Sequence, residues 1–366
     1  MTQQEAIEYT INLAKKAIDN EIRPNPFVGA VILDQDGKIL GEGYHQKIGG
    51  PHAEVFAIEQ ALQKTADLSH ATLYVSLEPC SHFGKTPPCA DLIIQHKIKK
   101  VVIASLDPNP KVASVEKLMA HGIEVIITNE LKSEYLNARF FTNQIKKRPY
   151  YILKFASTID GKIADYEKNS KWISNASSRQ FVHDQLRSNV DAILTSYKTV
   201  IEDQASLTIR NGIDEIKETN VLIVDKDLIL LQEQYATLPI FYSRTITKII
   251  FITATAPAFR LPENIRFVIG EFNENGLVFS SISNQLLELG MYKILTEAGS
   301  QLNSNLIDQC VADEMYWFIA PSILNDSNAI SMLGIDKTCA LESKRNLSLT
   351  DVKVLEQDVL LHYIFK

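Results

Sequence analysis

The chain has 366 residues, of which 45% are hydrophobic and 22% are charged, and this composition is ordinary for a globular protein. At roughly 100–200 residues per domain, the length suggests two domains. The net charge of −7 argues against a nucleic-acid partner, because such binding rests on Lys and Arg that neutralise phosphates. No apolar run approaches the ~18–20 residues of a membrane span, and the N-terminus lacks the features of a signal peptide. Four cysteines are too few for a disulfide scaffold. We therefore expect a cytoplasmic protein without a membrane partner.

The first half of the chain alternates predicted strands and helices. Apolar residues recur at helical spacing over 3–18, and a buried strand at 27–33 then forms a hairpin with 38–45. Further helices are predicted at 51–64, 89–96, 112–122 and near 130–144, and further strands at 71–77, 99–105 and 124–128. This order predicts a layered α/β domain.

A basic, proline-containing segment at 146–150 separates this domain from the rest, so we predict domains at 1–146 and 147–366. The second part begins again with a strand at 150–157. Later strands are predicted at 192–196, 221–225, 248–254, 266–270, 292–298, 315–321 and 359–365, with helices between several of them. A second α/β domain follows from this pattern.

Two short motifs in the first half carry the residue types of a metal centre. His52 and Glu54 flank Ala53 at a helix start, and later Cys80 follows a proline after a strand while Cys89 opens another helix. The H-x-E and P-C…C pair is typical of zinc deaminases. We predict His52, Cys80 and Cys89 as Zn²⁺ ligands, with one position left for water, and Glu54 as the catalytic proton carrier.

Plainer interpretations of the same residues stay open. Cysteines eight residues apart can be buried apolar residues or a transient disulfide. His82 is a competing ligand, but it would leave Glu54 without a role, so we prefer a loop or substrate contact for it.

The stretch PCSHFGKTPPC at 79–89 departs from the generic P-C-x-x-C spacing and resembles the deaminase domain of the bifunctional riboflavin-biosynthesis deaminase–reductase family. Segments 23–32, 41–54 and 107–110 resemble the same family. The resemblance implies a cytidine-deaminase-like fold and hydrolysis of the 2-amino group of 2,5-diamino-6-ribosylamino-4(3H)-pyrimidinone 5′-phosphate. It implies substrate contacts at Asn25 and His45 and a phosphate contact at Lys85; the alternatives are a turn role for Asn25 and a solvated surface position for Lys85.

In the second half, the residues alone favour only an α/β nucleotide binder. The turn at Gly299 and Ser300 between a strand and a helix can meet a phosphate, although such turns are common. Segments 154–164, 170–174, 193–210 and 295–302 resemble the reductase domain of the same family, which has a dihydrofolate-reductase-like α/β fold. The resemblance implies NADPH-dependent reduction of the ribosyl group to ribityl, with the hydride delivered to C1′.

The residues implied by this resemblance fall into two sets. The cofactor set is Ser157, Trp172, Thr199, Asp203, Gly299 and Ser300. The substrate set is Lys154, Ser170, Arg187, Leu207, Arg210 and Glu297. Plainer roles are packing for Trp172, core for Leu207 and a surface position for Arg187.

Three departures from the family pattern stand out. The segment 111–117 lacks the glycines that usually follow D-P-N-P, Gln204 and Ala205 replace an acidic or amide residue and proline, and Lys226 replaces a small hydroxyl residue.

The leading interpretation is a bifunctional enzyme of riboflavin biosynthesis, homo-oligomeric by family analogy. Two alternatives remain. One is a zinc nucleobase or nucleic-acid deaminase with an unrelated second domain, and the other is a C-terminal half that serves only for binding or oligomerisation.

Overall fold

The computed structural model describes residues 1–81, 87–210, 216–243, 249–256, 265–334 and 340–366. Contacts divide the chain into two compact units, Met1–Lys147 and Arg148–Lys366. Both units combine sheets with helices, so the predicted α/β class is confirmed. Within the described ranges, no helix combines the length and the apolar character that crossing a bilayer requires.

The first unit is built on one sheet. Its described helices are α1 Gln3–Ala14, α2 Asp19–Ile22, α3 Ala53–Leu62, α4 Cys89–Gln95, α5 Ser114–Ala120, α6 Leu131–Leu136 and α7 Ala138–Phe141. Its described strands are β1 Gly29–Leu33, β2 Ile39–Tyr44, β3 Thr72–Val75, β4 Lys100–Ile103 and β5 Glu124–Ile127. They lie in the order β2-β1-β3-β4-β5. The pairs β1–β2 and β1–β3 are antiparallel, whereas β3, β4 and β5 run parallel.

Both faces of this sheet are covered because its side chains alternate in direction. Ala30 and Ile32 of β1 pack toward one core with α3 and α4, and Val31 and Leu33 pack toward the other core with α1. Helix α3 approaches β2 very closely, since a Cβ at Gly41 would lie 2.0 Å from the Ala57 carbonyl oxygen. Only glycine allows this distance, so the middle of α3 lies directly against β2.

Two predicted helices of the first unit differ from the observed ones. The helix expected over 3–18 ends at Ala14, and the chain turns so that buried Asp19 reaches Arg139. The helix expected near 130–144 is divided into α6, α7 and a π-helical turn at Thr142–Lys146. Asn137 separates α6 from α7, and its side chain bonds to the backbone of Phe27.

The second unit contains a larger mixed sheet. Its described helices are α8 Ala176–Phe181, α9 Tyr197–Asp203, α10 Pro239–Tyr242, α11 Ser283–Glu288 and α12 Ser300–Asp308. Its strands are β6 Tyr150–Ser157, β7 Lys162–Ala164, β8 Ala192–Ser196, β9 Ile209–Arg210, β10 Ile216–Lys217, β11 Asn220–Val224, β12 Ile249–Thr253, β13 Ile265–Ile269, β14 Phe272–Asn273, β15 Gly276–Leu277, β16 Lys293–Thr296, β17 Ala312–Ile319, β18 Ile330–Ser331, β19 Leu347–Leu355 and β20 Asp358–Phe365.

The large sheet has the order β13-β12-β11-β8-β16-β6-β17-β20-β19. It is parallel from β13 to β17, and β20 and β19 add an antiparallel hairpin at one edge. The sequence pattern missed β19. A β-bulge between Leu349 and Asp351 interrupts its two-residue alternation, which obscures the strand signal.

Candidate functional site

Three potential metal ligands converge in the first unit. His52 precedes α3 as its N-cap, Cys80 follows β3, and Cys89 is the first residue of α4. The Sγ atoms of Cys80 and Cys89 lie 3.5 and 3.3 Å from Nδ1 of His52, and all three donor atoms lie within 4.8 Å of one another. Tetrahedral zinc with bonds of ~2.0 Å to nitrogen and ~2.3 Å to sulfur separates its ligand atoms by ~3.5 Å. The donor set and its spacing therefore fit zinc.

The surroundings of Cys80 favour its thiolate. The Cys89 thiol hydrogen-bonds to Cys80 and lowers its pKa, burial opposes this effect, and His52 together with the Cys89 backbone N–H lowers the pKa further. That N–H donates to Cys80 Sγ at 3.3 Å. A thiolate is the form that binds a cation.

Glu54 lies two residues after His52, in the first turn of α3, and is only 2% exposed. Its Oε2 has no hydrogen-bond partner among the described residues. Burial raises the pKa of Glu54, although His52 partly opposes this effect. A buried carboxyl group with an unpartnered oxygen beside the metal ligands can accept and return a proton.

Asn25 and His45 join the same site. Nδ1 of buried His45 lies 3.2 Å from the Pro51 carbonyl, which can only accept, so Nδ1 carries the proton. Burial lowers the pKa of His45, which favours the neutral ring, and in the tautomer with the proton on Nδ1 the Nε2 atom accepts from Asn25 Nδ2 at 3.0 Å. The His45 ring also packs edge-on against His52, with 5.5 Å between centroids. Lys85 and His82 lie outside the described residues.

Sequence reasoning did not single out Glu78, which anchors the loop after β4. Glu78 Oε1 accepts from the Ser114 N–H and hydroxyl at 3.0 and 2.9 Å, and its Oε2 accepts from the Asp107 N–H at 3.3 Å. Ser81 accepts from the Ala113 N–H at 2.9 Å. The segment 111–117, which lacks the glycines usual in the family, is thus hydrogen-bonded to Glu78 and Ser81, the residues on either side of Pro79 and Cys80. The signal available in the sequence was an acidic residue two positions before Cys80, directly after the apolar strand.

The second unit contains a cavity of about 870 Å³, within the range of small-molecule sites. All but one of the predicted reductase residues line it: Lys154, Ser170, Trp172, Arg187, Thr199, Asp203, Leu207, Arg210, Glu297, Gly299 and Ser300. The exception is Ser157, which is fully buried. Its hydroxyl accepts from the Trp317 indole at 2.8 Å and donates to the Thr158 carbonyl at 2.9 Å, so the cofactor contact implied for it falls on a core residue.

A buried carboxylate organises the cations of this cavity. Glu297 accepts from Nε and Nη2 of Arg187 at 2.5 and 3.0 Å and lies 3.7 Å from Lys154 Nζ. Burial alone would raise the pKa of Glu297, but Arg187 and Lys154 outweigh burial and hold the pKa at about 2. Arg187 also donates to the Thr208 carbonyl at 2.7 Å, so it is a fixed part of the cavity wall and not a mobile surface arginine.

Further residues of the cavity wall come from both predicted sets. Ser170 donates to Asp203 at 2.7 Å, and Thr199 lies in the first turn of α9. The Trp172 side chain is 70% exposed, and the Arg179 guanidinium lies over its ring at 4.3 Å from the centroid. Leu207 is 6% exposed and packs into the core while it also lines the cavity.

His183 is a cavity residue that sequence reasoning missed. It lies in a π-helical turn at Val182–Leu186, four residues before Arg187, and its Nδ1 accepts from the Arg210 N–H at 3.1 Å. Burial and the nearby Arg187 lower the pKa of His183 to about 4. The imidazole is therefore neutral near pH 7 and carries its proton on Nε2. The signal available in the sequence was its position four residues before Arg187, which places both side chains on the same face of a helix.

Known proteins match both units. Residues 1–105 match the cytidine and deoxycytidylate deaminase zinc-binding region, and residues 149–361 match the RibD C-terminal domain. The riboflavin biosynthesis protein RibD of Aquifex aeolicus is 37% identical and covers 98% of this chain and 97% of its own length. RibD of Escherichia coli is 34% identical over 93% of this chain and 94% of its own.

Solved structures give the same result over nearly the whole chain. The diaminohydroxyphosphoribosylaminopyrimidine deaminase/5-amino-6-(5-phosphoribosylamino)uracil reductase of Thermotoga maritima has a TM-score of 0.81 at 34% identity, with 99% of this chain and 98% of that chain covered. RibD of Acinetobacter baumannii has a TM-score of 0.78 at 32% identity, with the same coverage.

Proposed function

This chain belongs to the RibD family of riboflavin biosynthesis proteins, and from this premise we propose that it catalyses two consecutive reactions. The first unit is a zinc-dependent deaminase that hydrolyses the 2-amino group of 2,5-diamino-6-ribosylamino-4(3H)-pyrimidinone 5′-phosphate. The second unit is an NADPH-dependent reductase that converts the ribosyl group of the product, 5-amino-6-(5-phosphoribosylamino)uracil, to ribityl. The observation that carries the proposal is the convergence of His52, Cys80 and Cys89 beside buried Glu54.

In the deamination, His52, Cys80 and Cys89 would hold the metal. Bound zinc would supply a Lewis acid that makes water nucleophilic near neutral pH. Glu54 takes a proton from the attacking water and delivers protons to the ring nitrogen and to the departing amine. One water is consumed, one ammonia leaves, and C2 becomes a carbonyl carbon. The raised pKa of Glu54 suits a group that must hold a proton between these transfers.

The pyrimidine of the substrate binds against Asn25 and His45 in this proposal. The Asn25 amide donates to His45, and His45 packs against His52, so a base held by these side chains lies next to the metal ligands. Lys85 stays the predicted contact to the 5′-phosphate.

In the reduction, the residues of the cavity bind and orient both reactants. Bound NADPH would supply the hydride for C1′, and in the overall change the C1′–O4′ ring bond breaks and O4′ takes a proton. Gly299 is the N-cap of α12, so backbone N–H groups at that helix start suit a cofactor phosphate, and Trp172, Thr199 and Asp203 line the same cavity.

The substrate side of the reductase cavity is cationic. Arg187 and Arg210 suit the sugar phosphate because a guanidinium binds phosphate in a bidentate way. Lys154, Ser170, Leu207 and Glu297 complete this wall. Glu297 has both oxygens directed to cations, so its role in the proposal includes holding Arg187 in place.

We also propose that the protein works in the cytoplasm as a homo-oligomer. The edge strand β19 exposes Leu349, Val352 and Val354, at 53%, 51% and 72% of their surface. Exposed apolar side chains on a sheet edge favour association with another copy.

Substrate assays test both activities. The phosphorylated diaminopyrimidinone, tRNA and cytidine are supplied in parallel, and ammonia release is followed. Oxidation of NADPH is followed separately with the deaminated intermediate. We expect deamination of the phosphorylated pyrimidinone and NADPH oxidation; activity on tRNA alone, or a zinc-replete chain that never oxidises NADPH, would refute the corresponding half of the proposal.

A further inference from the structure

Asn137, far along the chain, holds the loop between α2 and β1 that carries Asn25. The Phe27 N–H donates to Asn137 Oδ1 at 2.7 Å, and Asn137 Nδ2 donates to the Phe27 carbonyl at 3.0 Å. Asn137 is 1% exposed, so water does not compete for these bonds. One side chain thus pairs with both polar backbone groups of a loop residue.

Arg139 holds the same loop at two positions before Phe27, namely Pro24 and Asn25. Its Nη1 donates to the Pro24 carbonyl at 3.0 Å, and its Nη2 donates to the Asn25 carbonyl at 2.7 Å. Its Nε donates to Asp19 at 3.3 Å, and both charged side chains are buried. A guanidinium is a rigid planar fork, so these contacts fix both the distance between the loop and α7 and the orientation of the loop.

The contacts continue from this loop to the metal ligands. Arg139 bonds to the backbone of Asn25, the Asn25 side chain bonds to His45, and His45 packs against His52. A displacement of the loop would therefore disturb the bond between the Asn25 amide and His45, whereas the loop itself supplies none of the three metal ligands.

We propose that Asn137 and Arg139 are positioning residues for the deamination reaction, which hold Asn25 against His45 where the pyrimidine binds. This inference rests on the proposed function of the first unit. Both residues lie beyond residues 1–105, the part that matches the zinc-binding region, so that match does not include them.

Conservative variants of the full chain test the proposal. Arg139→Lys keeps a positive charge for Asp19 but loses the fork that bonds to two carbonyls. Asn137→Asp keeps an acceptor for the Phe27 N–H but loses the donor to its carbonyl. In both variants we expect the KM for deamination to rise ~10–100-fold, with a smaller change in kcat.

The same samples contain their own controls. Zinc content by metal analysis and NADPH-dependent reduction of separately supplied intermediate should match those of the unaltered chain. Lys132→Ala changes an exposed residue of α6, and we expect it to leave all three measurements unchanged.

A double variant separates positioning from a general structural role. If Arg139 acts through Asn25, adding Arg139→Lys to Asn25→Ala raises the KM no further. An additional rise of the same factor would overturn the proposal, as would a parental KM in both conservative variants or loss of zinc from both. An unaltered, zinc-replete chain that fails to deaminate would instead overturn the proposed function, and this inference with it.

Discussion

Replacing Glu54 by Gln removes the proposed proton carrier and keeps the shape of the side chain. Glu54 is 2% exposed and its Oε2 makes no hydrogen bond in the described structure, so bulk water cannot easily take over the proton transfer. General acid–base groups contribute ~10²–10⁴-fold to rates, and the burial of Glu54 places the expected loss near the upper end. We therefore expect kcat for deamination to fall about 10⁴-fold, or about 5 kcal/mol in activation free energy.

Three measurements on Glu54→Gln and on the unaltered chain check this expectation. Deamination is followed by ammonia release, zinc is counted by metal analysis, and reduction is followed by NADPH oxidation. Zinc should be retained because His52, Cys80 and Cys89 supply the ligand atoms, and reduction should be unchanged because its cavity lies in the second unit. Glu59→Gln, on the exposed face of the same helix, is the matched control, and we expect it to change neither deamination, nor zinc content, nor reduction. Loss of zinc from Glu54→Gln, or a kcat within about tenfold of the parent, would refute the proton-transfer role.

Other predictions concern the metal site and the reductase cavity. Cys89→Ser should lower the zinc content of the purified chain, and full retention in metal analysis would exclude Cys89 as a ligand. Glu297→Gln leaves Arg187 and Lys154 without their shared carboxylate and should lower the free energy of unfolding by about 3 kcal/mol, measured by denaturant titration. Because the folded pKa of Glu297 is about 2, below its ordinary 4.5, its contribution is complete above pH ~4.5 and is lost as the pH falls toward ~2; an identical acid dependence in the variant would contradict this. Trp172→Ala should weaken NADPH binding ~3–10-fold in a fluorescence titration and leave the unfolding midpoint unchanged, since the ring is 70% exposed; unchanged binding would remove Trp172 from the cofactor site.

Local patterns predicted most strands well, because a buried strand is a short apolar run that needs no knowledge of its neighbours. The strand 192–196 was predicted with the bounds observed for β8. Errors arose where distant contacts change the local outcome. Asn137 divides a helix that its periodicity favoured, and its side chain bonds to Phe27, 110 residues earlier.

The functional residues show the same contrast between what local patterns predict and what distant contacts decide. The motif residues His52, Glu54, Cys80 and Cys89 could be named from the sequence because zinc chemistry restricts ligands to a few residue types and helix starts place them. Glu78 and His183 were missed because their importance lies in the partners they contact. The cofactor contact that the resemblance implies at Ser157 stays a prediction, and the bond of its hydroxyl to Trp317, 160 residues away, was not visible in the sequence.

The sequence by itself determined the chemistry that this protein can support: the imidazole and thiolate donors, the acid beside them, and the alternation that makes both halves α/β. These properties depend on residue type and on spacing of a few residues, which a single chain displays directly. Only the tertiary structure decided which distant groups act together, such as Arg139 with the loop at Asn25 and Glu297 with Arg187. The reason is that these contacts follow from strand order and sheet pairing, which bring together residues more than 100 positions apart and leave no periodic trace in the sequence.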